Sequence, residues 1–174
     1  MPTPSRWKSS GNTGARYSIR ENYEADLRSG CGLYRLMNRL IIGVGSNIDP
    51  VSHISGARAA LARDHTLVAE SHLVRTEPIG ITDQASFTNG AFLVETALER
   101  PQMESYLKEL EDRLGRDRSR PRFGPRTIDL DIVAWNGRVV DDDYYTRDFL
   151  RDAALSLSPD LEEINPLPPP PLSD

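Results

Sequence analysis

The sequence predicts an α+β fold: a ferredoxin-like βαββαβ sandwich, an antiparallel or mixed sheet with helices on its faces. Three observations predict it. Short apolar runs of strand character alternate with two segments of helical periodicity, two of the strands follow one another with no helix between them, and Asn136-Gly137 closes the last strong strand into a hairpin.

Leu40-Ile41-Ile42-Gly43-Val44-Gly45 is a short apolar run ended by Ser46-Asn47, which reads as a buried strand. Asp49-Pro50 supplies an N-cap and a first-turn proline, and Val51, Ile54, Ala57 and Leu61 follow at helical spacing. Residues 66–76 read as a second strand, closed by the turn-forming Glu77-Pro78-Ile79-Gly80, and residues 87–97 as a third. Pro101 opens a second helix, on which Met103, Tyr106, Leu107, Leu110 and Leu114 form one apolar stripe. Glu104 and Lys108 are spaced to pair on it, and Gly115 fits its end. Residues 127–135 form the last strong strand, which turns into Arg138-Val139-Val140. This order places both helices on one face of the sheet.

With 174 residues the chain makes about one domain. Apolar residues at 38% and charged residues at 27% suit a soluble globule rather than a disordered or fibrous chain. A formal charge of −5 argues against a globally basic nucleic-acid binder, as does the low aromatic content. No stretch approaches the ~18 consecutive apolar residues of a membrane helix. The single Cys31 excludes an internal disulfide framework. His53, His65 and His72 read as surface or packing residues, so a metal site would be built from carboxylates, which suits magnesium better than zinc. Residues 1–36 are rich in Ser, Gly, Asn and Arg without an apolar period, and read as an N-terminal extension before a domain at 37–163. Met37 directly precedes the first strand, so an upstream misassigned start fits as well, and the early arginines leave a targeting role open. Residues 164–174 form a Pro-rich tail.

The segment from Arg113 to Arg126 holds six arginines against one acid, Asp117, in a chain that is acidic overall. Two prolines and a glycine keep it out of regular structure, and like charges at this density call for an anionic partner. It leads straight into Ile128-Asp129-Leu130-Asp131-Ile132, where strand alternation puts both carboxylates on one face and the apolar side chains on the other. Such a pair either holds one or two magnesium ions or is salt-bridged to Arg122 or Arg126. Metal ligands beside an arginine loop are what a Mg-nucleotide phosphate site requires. Phe87 and Asn89 share a strand face, where an aromatic plane and a carboxamide can receive a flat heterocycle; a core phenylalanine is the plainer alternative.

Gly45-Ser46-Asn47, Arg75-Thr76-Glu77-Pro78-Ile79-Gly80, Asp83-Gln84, Phe87-x-Asn89, Glu95-Thr96, Leu110-Glu111 and Gly115-Arg116-x-Arg118 occur in that order. The run Arg122-Phe123-Gly124-Pro125-Arg126-Thr127-Ile128-Asp129-Leu130-Asp131-Ile132 follows them. Together they resemble the 6-hydroxymethyl-7,8-dihydropterin pyrophosphokinase family of folate biosynthesis, over roughly residues 40–161. The resemblance implies transfer of pyrophosphate from ATP to the pterin hydroxymethyl group with release of AMP. It implies that Asp129 and Asp131 hold two magnesium ions, that Arg116 and Arg126 bind phosphates, and that Arg118 lies in a mobile loop that closes over the site. Lys108, Glu111, Ile132 and Arg147 would surround the nucleotide. Thr76, Glu77, Ile79, Phe87, Asn89, Phe123 and Phe149 would surround the pterin. It also implies a cytoplasmic monomer that acts on small molecules, not on nucleic acid or membrane, with room for association with other folate-pathway enzymes.

The family's His-Pro loop after the hairpin is replaced here by the shorter, acidic residues 140–146. Asp141, Asp142 and Asp143 would repel a triphosphate unless they point away or recruit metal. The alternative reading is therefore a divergent paralogue that binds pterin, or pyrophosphorylates another heterocyclic alcohol.

Overall fold

The computed structural model describes residues 37–121 and 123–162; the expected N-terminal extension, the Pro-rich tail and Arg122 lie outside the described residues. Strand β1 (Asn38–Ser46) is the spine of a six-stranded sheet. It is paired antiparallel on one side with β4 (Phe87–Thr96) and on the other with β5 (Asp129–Trp135). Flanked on both edges and covered on both faces, it buries nearly all of its apolar run. β2 (Thr66–Glu70) and β3 (Val74–Thr76) both pair with β4, and β6 (Arg138–Val139) closes the far edge, giving the order β2-β4-β1-β5-β6. This is the expected ferredoxin-like arrangement.

The expected single strand at 66–76 is instead two. At Ser71 the side-chain hydroxyl accepts the Ala91 N–H at 2.9 Å, a place that a backbone carbonyl takes in a regular ladder, and the chain leaves the sheet for residues 71–73. The last strong strand likewise starts at Asp129 rather than at residue 127.

Helix α1 (Pro50–Asp64) begins with the expected proline, but Asp49 does not cap it through its carboxylate. Asp49 adopts a left-handed backbone (φ 43°, ψ 59°), and its carbonyl accepts the His53 N–H. Helix α2 (Arg100–Arg113) opens with a capping box in which Glu99 and Gln102 satisfy each other's backbone N–H groups. The expected Glu104–Lys108 pair is replaced by Arg100–Glu104 at 2.9 Å. Gly115 (φ 81°) ends the helix, and the Arg116 N–H returns to the Glu111 carbonyl.

Both helices pack on one sheet face: Ile54, Ala57, Leu61, Met103, Leu107 and Leu110 meet Leu40, Ile42, Phe92, Leu130 and Ile132 in one core. The opposite face is covered by two elements beyond the hairpin, the first of them within the acidic segment 140–146. These are a single turn, α3 (Asp143–Thr146), and α4 (Asp148–Leu157), whose Leu150, Ala153 and Ala154 pack on Ile41, Leu93 and Val133. Among the described residues no helix is long and apolar enough to cross a membrane.

Candidate active site

Helix α4 covers only part of its sheet face. Gly43 admits it, for a β-carbon there would lie 3.0 Å from Leu150, while the next glycine on that face, Gly45, lies beyond the helix and opens onto a cleft of about 840 Å³. All sixteen residues singled out from the sequence line this one cleft. α2 and the arginine loop form one wall, the carboxylates of β5 the floor, and the ends of β3 and β4 the other wall.

Register places Asp129 opposite Gly45 and Asp131 opposite Gly43, so both carboxylates face the cleft while Leu130 and Ile132 point into the core beneath α1 and α2. The two acids differ in their surroundings. Asp129 accepts Arg116 Nη1 at 2.8 Å on Oδ1, and Arg126 Nη1 on Oδ2. Asp131 forms no hydrogen bond or ion pair among the described residues, and its surface is exposed in the cleft. It is nonetheless hemmed in by enough protein to be desolvated, with Asp129, Asp141, Glu111 and Asp143 adding their negative fields, so its carboxyl is pushed up to about 7. A desolvated carboxylate with a second beside it and no counter-ion is a donor set that fits a hard divalent cation.

Four of these arginines have carboxylate partners within the protein. Arg118 bonds Glu111 Oε2 at 2.8 Å and Asp112 Oδ1 at 2.9 Å, Arg120 bonds Asp117 at 3.2 Å, and Arg116 and Arg126 share Asp129. Arg118 therefore lies against α2, the arginine at which the sequence suggested closure. The Arg126 guanidinium also sits 5.7 Å from the centre of the Phe87 ring. Glu111 lines the cleft and is bonded within the protein. It is 4% exposed, and both its oxygens are engaged by protein donors, Leu130 N–H at 2.7 Å and Arg118. Burial raises its carboxyl above the ordinary range, against the opposing pull of those donors and of Arg116.

The opposite wall sets an aromatic ring beside a fixed carboxamide. Asn89 donates Nδ2 to Thr76 Oγ1 at 2.7 Å, which fixes the carboxamide beside Phe87. Gly45 has to be glycine for this: a β-carbon there would stand 2.7 Å from Asn89 Oδ1. Ile79 and Phe123 are half-exposed at the mouth, with the Phe123 ring against Gly80. Asn47 ties the two loops together, donating to Gln84 Oε1 and the Ala85 carbonyl, each at 3.0 Å, and accepting the Arg126 N–H at 2.8 Å.

A model of the 7,8-dihydro-6-hydroxymethylpterin-pyrophosphokinase family matches residues 41–159. The chain belongs to this family. It is similar to the 2-amino-4-hydroxy-6-hydroxymethyldihydropteridine pyrophosphokinase of Methylorubrum extorquens, 39% identical over 135 residues, which are 75% of this chain and 84% of that protein. The enzyme of the same name from Bacillus subtilis is 36% identical over 102 residues, 57% of this chain and 60% of that protein. The folate synthesis bifunctional protein of Arabidopsis thaliana is 33% identical over 96 residues, 54% of this chain and 20% of that protein. The chain thus spans less than two thirds of the latter two. It is a pyrophosphokinase of folate biosynthesis with ATP as co-substrate.

The pyrophosphokinase cleft also contains residues beyond the sixteen. Arg100 and Glu104 extend the wall on α2 beyond Lys108. Their spacing with Lys108 and Glu111, on the helix face flanking the Met103-Leu107-Leu110 stripe, is the signal that would have found them. Asp141, Asp142 and Asp143 line the cleft as well, rather than pointing away. Their charge is partly spent within the protein: Asp143 pairs with Arg147 at 2.9 Å, and Asp141 Oδ1 accepts the Asp143 N–H at 3.0 Å. Burial raises the Asp141 carboxyl above its ordinary range.

Proposed function

We propose that this pyrophosphokinase uses Mg-ATP, that Asp129 and Asp131 hold two magnesium ions, and that the pterin lies against Phe87 and Asn89 with its hydroxymethyl group toward the carboxylates. The observation that carries the reading is Asp131, a desolvated carboxylate without a counter-ion among the described residues in the floor of the cleft, two strand positions from Asp129 and its two arginines. Asp129 and Asp131 would hold the magnesium, which would supply positive charge for the phosphates and lower the pKa of the attacking hydroxyl.

The chain's own groups supply the remainder. Arg116 and Arg126 exchange their bonds to Asp129 for phosphate oxygens, where charge builds up as the hydroxyl attacks in line. Asn89, held by Thr76, offers its carboxamide to the amide edge of the pterin, and Phe87, Phe123 and Phe149 supply apolar surface for the ring. Lys108, Ile132 and Arg147 line the nucleotide side, with Glu77 and Ile79 on the pterin side. We read the enzyme as a cytoplasmic monomer; the bifunctional relative supports association with other folate enzymes.

The test is AMP release from Mg-ATP with and without 6-hydroxymethyl-7,8-dihydropterin, repeated on Asp131→Asn. Pterin-dependent AMP is expected, falling about 100-fold in the variant; undiminished turnover in Asp131→Asn overturns the metal role. A second reading, a paralogue that binds pterin without this turnover, is favoured by the three aspartates in the cleft. Pterin binding with no AMP would establish it.

A further inference from the structure

Glu111 is a buried carboxylate in the middle of the cleft wall, and such a charge is tolerated only when its oxygens are bonded. Oε1 accepts the N–H of Leu130, the residue between Asp129 and Asp131, at 2.7 Å. That bond fastens to α2 the stretch of β5 that spaces the two acids. Oε2 accepts Nη2 of Arg118, whose Nε bonds Asp112 and whose Nη2 also reaches the Lys108 carbonyl at 3.2 Å. Three acceptors on one helix thus hold an arginine whose side chain is 46% exposed at the edge of the phosphate site.

We propose that Glu111 is a positioning residue and not a nucleotide ligand: it sets the Asp129–Asp131 strand through Leu130 and keeps Arg118 on α2 until a polyphosphate draws the arginine away. The proposal rests on the ATP site argued above. Giving up Arg118 leaves a buried oxygen short of a donor, so only a ligand carrying several negative charges repays the exchange.

Glu111→Gln separates the two bonds, since its carboxamide oxygen still accepts the Leu130 N–H while its NH2 group faces Arg118 donor to donor. Expected for this variant are a melting temperature and Mn2+ affinity close to the parent, and a dissociation constant for a non-hydrolysable Mg-ATP analogue lowered about threefold. Asp112→Asn should shift it the same way by less. Glu111→Leu, which removes the acceptor, should weaken Mn2+ binding about tenfold. Should Glu111→Leu not fold, hydrogen exchange of the Leu130 amide in the parent reads the same bond, slow exchange being expected and exchange at loop rate overturning it. A well-folded Glu111→Gln that binds the analogue no more tightly than the parent overturns the restraint on Arg118. A parent that neither binds the analogue nor releases AMP overturns the nucleotide site itself, and with it the release of Arg118. An active parent without the variant shifts overturns only the role of Glu111.

Discussion

Asp129 and Asp131 stand on the same face of β5, yet Asp129 gives both oxygens to Arg116 and Arg126 while Asp131 has no cationic partner among the described residues. The protein satisfies one acid and leaves the other in need of a ligand. Sites of this kind lower the stability of the empty protein in exchange for binding.

That asymmetry has a pH signature in the metal-free protein. With its folded value near 7 against an ordinary 3.8, Asp131 keeps in the folded state a proton that the unfolded chain has already lost. Stability therefore falls as pH rises from about 4 to about 7, and is unaffected by this group outside that window. Asp131→Asn should match the parent at pH 4 and exceed it at pH 8 by ~1 kcal/mol, a figure discounted for solvent screening at an exposed carboxylate. Urea unfolding at the two pH values in a chelating buffer checks this, and a gain of equal size at both would contradict it.

Gly45→Ala places a methyl group 2.7 Å from Asn89 Oδ1. The carboxamide is the movable party, so its bond to Thr76 should break and the pterin should lose its oriented partner. KM for the pterin is expected to rise about fivefold to tenfold with little change in kcat, and stability to fall by ~1–2 kcal/mol. Steady-state kinetics with the pterin varied would read it, and an unchanged KM would count against Asn89 as the pterin contact.

Asn47 is buried and joins the 81–85 loop to the arginine loop through three hydrogen bonds. Asn47→Ala should cost about 2–3 kcal/mol and speed hydrogen exchange at the Arg126 amide. Loss of stability without faster exchange there would show that the two loops are held by other contacts.

Leu150 is the side chain through which α4 seats against Gly43 and Val133. Leu150→Ala should lower the unfolding free energy by about 2–4 kcal/mol. A loss below ~1 kcal/mol, typical of a surface substitution, would mean that α4 does not cover this face.

The elements legible in the sequence are those whose signal is local. β1, the long apolar run, the α2 stripe with its terminal Gly115, and the Asn136-Gly137 turn each depend on residues a few positions apart, and each lies where its pattern indicated. The candidate site was legible for a similar reason. Strand alternation alone carries Asp129 and Asp131 to one face, and the arginines adjoin them in the chain.

What remained hidden depended on partners distant in sequence. The break at Ser71 follows from its hydroxyl meeting Ala91, and α4 needed the uncovered face of Ile41, Leu93 and Val133 to make Leu150, Ala153 and Ala154 a buried stripe. Charge assignment was hidden most deeply. Which carboxylate each arginine would take, that Glu111 would spend both oxygens within the protein, and that Asp131 would be left without a cation were decided by packing α2 and the loop against β5. The chain order supplies which chemical groups are present and on which side of a strand or helix they lie. Only the folded arrangement sets which opposite charges come within hydrogen-bonding distance, because that energy depends on separation in space and on the water excluded between the groups.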